Sequence, residues 1–184
     1  MTMGDRVCVL KDGYLQQVDT PQNLYDKPDN VFVAAFIGSP SMNLNEGTLA
    51  GTTLTLGSHT IELSADVFEK HPGLKEFDGR GVIVGIRPED LEDASLAPEE
   101  KKGATIATTC TLTEALGSEI IVHFELDAPR VDAGDPDAVD DLGEHAAVGR
   151  FDPRSKVTIG DAVEIAINVG NLHFFDPQSR TAIW

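Results

Sequence analysis

Apolar and polar positions along the chain change their period twice. Arg6 to Lys11 is a short apolar run, Tyr14 to Val18 is another, and Asp12-Gly13 stands between them. Both turn residues tolerate positive φ, so the pattern predicts a β-hairpin. Thr20-Pro21 predicts a helix start, because the threonine hydroxyl can cap and a proline at the first helical position gives up no needed hydrogen bond. That helix ends before Pro28. A second begins at Asp29 or Asn30 and carries Val31, Phe32, Ala34, Ala35 and Phe36 to Gly38, a terminating glycine followed by Pro40.

From Asn45 onward the period shortens to that of strands. Gly47 to Ala50 and Thr53 to Leu56 flank Gly51-Thr52 as a hairpin, followed by Thr60 to Leu63 and a short helix, Ala65 to Lys70, capped by Ser64. Val82 to Ile86 is a strand whose exit is fixed by Arg87-Pro88, since proline cannot continue a central strand. Thr105 to Thr113 and Glu119 to Leu126 pair around Gly117-Ser118. Further strands fall at Ala147 to Phe151, Val163 to Asn168, Leu172 to Phe175 and Thr181 to Trp184. Many short strands between Gly, Pro and Asp turns predict a mainly β protein built on a small antiparallel barrel or sandwich. Closure into a barrel would remove exposed edges.

One segment, 127–146, has no period. Asp127, Asp132, Asp135, Asp137, Asp140, Asp141 and Glu144 face a single Arg130. An EF-hand reading fails: counted from Asp135, the fifth and sixth positions are Val139 and Asp140, and the twelfth is Ala146, so the turn glycine and closing glutamate are missing. The segment reads as a mobile, solvated surface loop inserted into a barrel connection.

Charge narrows the function. The 184 residues hold 31 acidic against 14 basic ones, a net charge of −17, which disfavours a nucleic-acid binder that must neutralise phosphates. With 41% apolar and 24% charged residues the chain can still build a core. No stretch approaches a membrane span and no secretion signal is visible, so no direct membrane insertion is expected. Cys8 and Cys110 sit in apolar runs and read as buried free thiols of a reducing cytoplasm. His59, His71, His123, His145 and His173 show no metal-ligand spacing, and His123, alternating with Val122 and Phe124, reads as solvent-facing. No nucleophile elbow, phosphate loop or dinucleotide fingerprint occurs, so this portion reads as non-catalytic, with no catalytic, metal or cofactor residue. Arg87 reads as paired with a nearby acid.

The run Gly4-Asp5-Arg6-Val7-Cys8-Val9-Leu10-Lys11-Asp12-Gly13, then Gln17-Val18-Asp19-Thr20-Pro21, Leu24-Tyr25, Phe32-Val33-Ala34 and Phe36-Ile37-Gly38-Ser39-Pro40, resembles the end of the nucleotide-binding domain of ABC importer ATPase subunits. Gly85-Ile86-Arg87-Pro88-Glu89 resembles the signature of the C-terminal regulatory domain in the carbohydrate-importer branch (maltose, trehalose, glycerol-phosphate). Glu114 to Glu119, with Gly117, and Leu172 to Asp176 match further landmarks. The resemblance implies an OB-like (TOBE- or MOP-like) antiparallel barrel with a short α/β N-terminal arm. It divides the chain into 1–43, a remnant of the ATPase domain, and 44–184, the regulatory domain. Gly85, Arg87, Pro88, Glu89 and Gly117 are its structural and regulatory motif residues.

It further implies a homodimer that works with transmembrane permease subunits and a regulatory protein at the cytoplasmic face of the cell membrane. ATP and Mg would bind in the parent subunit and not in this fragment, because the Walker and switch segments would precede Met1. An alternative is a small-ligand or oxyanion-binding OB-like module of a related importer, against which the negative charge argues. The arm's apolar faces would lie on the ATPase core in the parent. In this chain they are expected to dock on its own barrel or on a second copy in a swapped dimer.

Overall fold

The computed structural model describes residues 4–99, 103–134 and 145–184. β1 (Val7–Lys11) and β2 (Tyr14–Asp19) form the expected antiparallel hairpin. Asp12 and Gly13 take φ of 52° and 83°, the geometry that Asp-Gly supplies cheaply. α1 (Pro21–Asp26) follows, with the Thr20 hydroxyl accepting from the Asn23 amide. The side chain of Asn30 caps α2 (Val31–Phe36) through the Val33 amide.

Two five-stranded sheets follow, and every strand pairing among the described residues is antiparallel. The first has the order β12-β6-β3-β4-β5, from β3 (Asn43–Ala50), β4 (Thr53–Leu56), β5 (His59–Glu62), β6 (Arg80–Ile86) and β12 (His173–Phe175). The second runs β10-β9-β8-β11-β7, from β7 (Leu91–Asp93), β8 (Ala104–Ala115), β9 (Ile120–Glu125), β10 (Ala146–Phe151) and β11 (Ala162–Ile167). α3 (Ala65–Lys70) and a 3-10 turn at Pro72–Phe77 close one end. The inward faces of both sheets meet in one core, where Leu54, Ile61 and Val84 face Ile106, Phe124, Phe151 and Ile165. Asn43 stitches the sheets together: its amide donates to the carbonyls of Ile86 (3.0 Å) and Val148 (2.9 Å), and its oxygen accepts from the Val148 amide (2.8 Å).

The arm docks on its own barrel. Val31, Ala34 and Ala35 of α2 pack with Met42, Leu44, Ile83 and Phe175, while Phe32 and Val33 turn to Val9 and Leu24. The outer side of the hairpin stays open, with Leu10, Tyr14 and Leu15 exposed, as is Phe36 on α2.

Several expectations are corrected. Residues 181–184 form no strand: Thr181 makes an isolated bridge to Asn30 of the arm and Ala182 one to Phe175 of β12, so the segment is shared between arm and sheet edge and extends no ladder. β3 begins four residues earlier than expected, and β7 follows the 3-10 turn Pro88–Asp90, where no strand was foreseen. Ser64 precedes α3 without a side-chain capping bond. Cys8 is exposed because the two-stranded ribbon has one covered face, occupied by Val9; Cys110 is buried as expected. His123 is buried, since the 38–43 loop covers the face that alternation would give to solvent; its Nε2 lies 2.8 Å from Glu114 Oε1.

The described part of the acidic segment is not a free loop. The Asn45 side-chain amide donates to the Ala128 carbonyl, the Glu46 amide to Pro129, and the Val131 amide to Leu44, so 128–131 lies along β3. Gly57 has a φ of 56°, and a Cβ there would stand 1.1 Å from the Asp127 carbonyl oxygen, so only glycine lets the segment pass. Residues 135–144, which carry most of the calcium-loop reading, lie outside the described residues.

Candidate functional site

The motif at the end of β6 forms a junction between arm and barrel. Gly85 admits its neighbours closely: a Cβ would meet Met42 Sδ at 2.4 Å and His173 Cβ at 3.2 Å. Pro88 then turns the chain into a 3-10 helix, which aims the buried Arg87 side chain at the arm. The guanidinium donates to the carbonyls of Ile37 (3.0 Å) and Tyr25, and lies 3.5 Å from the centre of the Tyr25 ring. Its Nε is buried without a hydrogen-bond partner among the described residues. Burial lowers the Arg87 pKa to about 10, opposed by the charges of Asp90 and Asp26, so the group stays charged at neutral pH. The expected pairing with an acid is therefore Coulombic only; the hydrogen bonds go to backbone carbonyls.

Around Arg87 lies a cleft of about 510 Å³. The arm contributes Tyr25, Asp26 and Lys27, and the barrel contributes His71, His173, Asn171 and Trp184, with Glu89 of the motif on the rim. The His71 ring is buried; its Nδ1–H donates to the Ile183 carbonyl at 2.8 Å, and it stacks on Trp184 with 5.4 Å between centroids. Burial lowers its pKa. His173 is pushed down to about 3, first by desolvation and then by the charges of Arg87 and His71. Both imidazoles are thus neutral near pH 7. Asp90 accepts from the side-chain amides of Asn168 (3.1 Å) and Asn171 (2.8 Å), and the Lys70 ammonium donates to the Gly170 carbonyl at 2.7 Å.

Gly85, Arg87, Pro88 and Glu89 come together here. Gly117 does not: it lies in the β8–β9 turn at φ 87° with open space around it. Lys70, His71, Asn171 and Trp184 carried no signal for this site in the sequence, and Tyr25 lay in the quoted Leu24-Tyr25 run with nothing to tie it to Arg87. His173 lay within a quoted landmark, and its adjacency to Gly85 across β6–β12 was the one available hint. Among the described residues no group of three or more His, Cys, Asp or Glu could hold a metal ion, and no helix is long and apolar enough to cross a membrane. The cleft offers neutral donors and acceptors, aromatic surface and balanced charge, and it joins two parts of the fold.

The fold defines an OB-type module, and comparison places it. Residues 38–91 match the model described as the MalK OB fold domain. The chain is homologous along its whole length to ATP-binding subunits of sugar importers. It is 34% identical to the oligosaccharides import ATP-binding protein MsmX of Bacillus subtilis, over 100% of this chain and 46% of that protein. It is 37% identical to the trehalose import ATP-binding protein SugC of Mycobacterium tuberculosis (97% and 47% covered), and 38% identical to the trehalose/maltose import ATP-binding protein MalK of Thermococcus litoralis (100% and 45%). The chain spans about half the length of these relatives. A crystal structure of the cytoplasmic molybdate-binding protein ModG aligns with a TM-score of 0.50 at 12% identity, covering 73% of this chain and 96% of that one, a likeness of fold alone.

Proposed function

We propose that this chain is the regulatory and dimerisation portion of the ATP-binding subunit of a carbohydrate importer. The observation that carries the reading is continuity: similarity to the importer subunits runs unbroken through arm and barrel, and Arg87, in the branch's motif, clamps one to the other. In the whole subunit, ATP hydrolysis drives sugar uptake. ATP and Mg belong to the ATPase portion, and no chemistry is assigned to this part. The barrels of two copies hold the ATPase portions together as they open and close. Permease subunits anchor the assembly at the cytoplasmic face of the membrane, and a regulatory protein docks on the barrel.

The test is an uptake assay in cells whose own copy of the subunit has been removed. The full subunit should restore uptake as a dimer. The same subunit lacking 44–184 should lose dimerisation and regulated uptake. If the shortened subunit dimerises and is regulated like the full one, the reading fails. Saturable binding of molybdate or sulfate to this chain would instead favour an oxyanion-binding module.

A further inference from the structure

The junction cleft has the chemistry of a ligand site that neither the fold nor the family match assigns. Its size falls within the range of small-molecule pockets, about 300–1,000 Å³. Charge does not favour an ion there. Lys27, Lys70 and Arg87 stand against Asp26, Glu89 and Asp90, and a chain of net charge −17 repels anions. Arg87 is already committed to two carbonyls and a tyrosine ring. What remains is neutral hydrogen-bonding capacity beside aromatic surface. Trp184 is 41% exposed although stacked on His71. The Lys70 ammonium has one of its three hydrogens on Gly170. The His173 imidazole, neutral near pH 7, lines the cleft, and the ring makes no hydrogen bond among the described residues. A neutral imidazole offers one donor and one acceptor, the pairing that a hydroxyl needs.

We propose that the junction cleft binds a neutral polyhydroxylated ligand, a hexose or disaccharide unit, whose C–H face rests on Trp184 and whose hydroxyls bond His173 and Lys70. Tyr25, Asp26 and Lys27 of the arm line the opposite wall, so a ligand seated on those three barrel residues also abuts the arm and ties it more firmly to the barrel. The site is thus an effector site on the junction. It goes beyond the regulatory reading above, since dimerisation and uptake can both hold with the cleft unliganded.

Trp184 is the only tryptophan of the chain, so its emission reports the site directly. Titration of the 184-residue chain with glucose, maltose and trehalose, up to about 50 mM, should give a saturable change with at least one of them. His173→Leu should weaken that binding about tenfold, with far-ultraviolet circular dichroism unchanged. Trp184→Leu, followed by calorimetry, should weaken it as much and serves if the first variant fails to fold. No saturable response to any neutral sugar overturns the proposal. So does saturation by glucose 6-phosphate or sulfate alone, or sugar binding that both variants leave intact. Failure here leaves the uptake and dimerisation assays untouched, so the two readings fall separately.

Discussion

Arg87 is a buried cation whose hydrogen bonds end on neutral carbonyls, and that fixes what its loss would do. Arg87→Met leaves the carbonyls of Ile37 and Tyr25 without their charged donor, a loss of about 2–3 kcal/mol. The expected readout is a lower unfolding midpoint and faster amide exchange across 21–37, with the barrel amides still protected. Arg87→Lys should not restore it, because one ammonium cannot reach two acceptors while covering a ring. The sequence marked this residue through its motif and through Pro88, but not its pairing with Ile37 and Tyr25, which lie 50 and 62 positions away. Glycines show the same limit. Gly57 and Gly117 both hold positive φ, yet Gly117→Ala meets open space and should cost only the backbone strain of about 1 kcal/mol. Gly57→Ala also meets the Asp127 carbonyl and should displace 128–131 from β3, read as lost exchange protection at Val131. Protonation belongs to this scale too. His173 and His71 have pKa values below the ordinary 6.5, so the unfolded chain binds protons that the folded one refuses. Their contribution is whole above about pH 6.5 and is lost as pH falls below it, for His173 toward its folded value of about 3, at no more than about 1.4 kcal/mol per pH unit for each ring. Asp152, held at about 2 by Arg154, adds its own loss only below pH 4. Urea midpoints should therefore already fall between pH 6.5 and 4.5, and His173→Leu should flatten that slope.

At the scale of elements, what chain neighbours decide was legible and what distant partners decide was not. The hairpin at Asp12-Gly13, the capped starts of α1 and α2 and the strand ending before Pro88 all follow from residues within a few positions of one another. β7 was missed because three residues form a strand only when Ile165 to Ile167 stand beside them. The C-terminal residues carry a strand-like pattern, but Asn30 of the arm and Phe175 of β12 each take one of them, so no continuous ladder forms. The candidate cleft was half legible: its motif wall was visible, while Tyr25, His71 and Trp184 reach it only through packing. Asn43 makes an element-scale prediction. It joins the end of β3 to β6 and β10 with three buried hydrogen bonds. Asn43→Leu keeps the volume and removes the bonds, leaving the Val148 amide unpaired. A loss of about 2–4 kcal/mol is expected, and the thermal midpoint should drop with it.

For the whole molecule, the decisive contact is that of α2 with the first sheet. Val31, Ala34 and Ala35 cover Leu44, Ile83 and Phe175, and burial of each large apolar side chain contributes roughly 1.5–3 kcal/mol. Removal of 1–40 therefore does not cut at a neutral boundary; it uncovers a strip of the barrel. Removal of 1–19 takes away only the hairpin, with its exposed Leu10, Tyr14 and Leu15, although Leu24 and Phe32 then lose Val9. Light scattering separates the two cases. The chain lacking 1–19 also loses the Gln17 hydrogen bonds to Lys27 and Asp29, so its midpoint should fall, by a smaller step than for the longer cut, while it keeps the oligomeric state of the intact chain. The chain lacking 1–40 should be destabilised by several kcal/mol and associate through the bared strip. A well-folded monomer after the longer cut would show that the strip needs no cover. Salt discriminates further. Two copies at −17 each repel, and screening shortens the reach of that repulsion from about 10 Å at 0.1 M to about 3 Å at 1 M. A dimer held by apolar barrel faces should strengthen over that range, whereas one held by ion pairs should weaken.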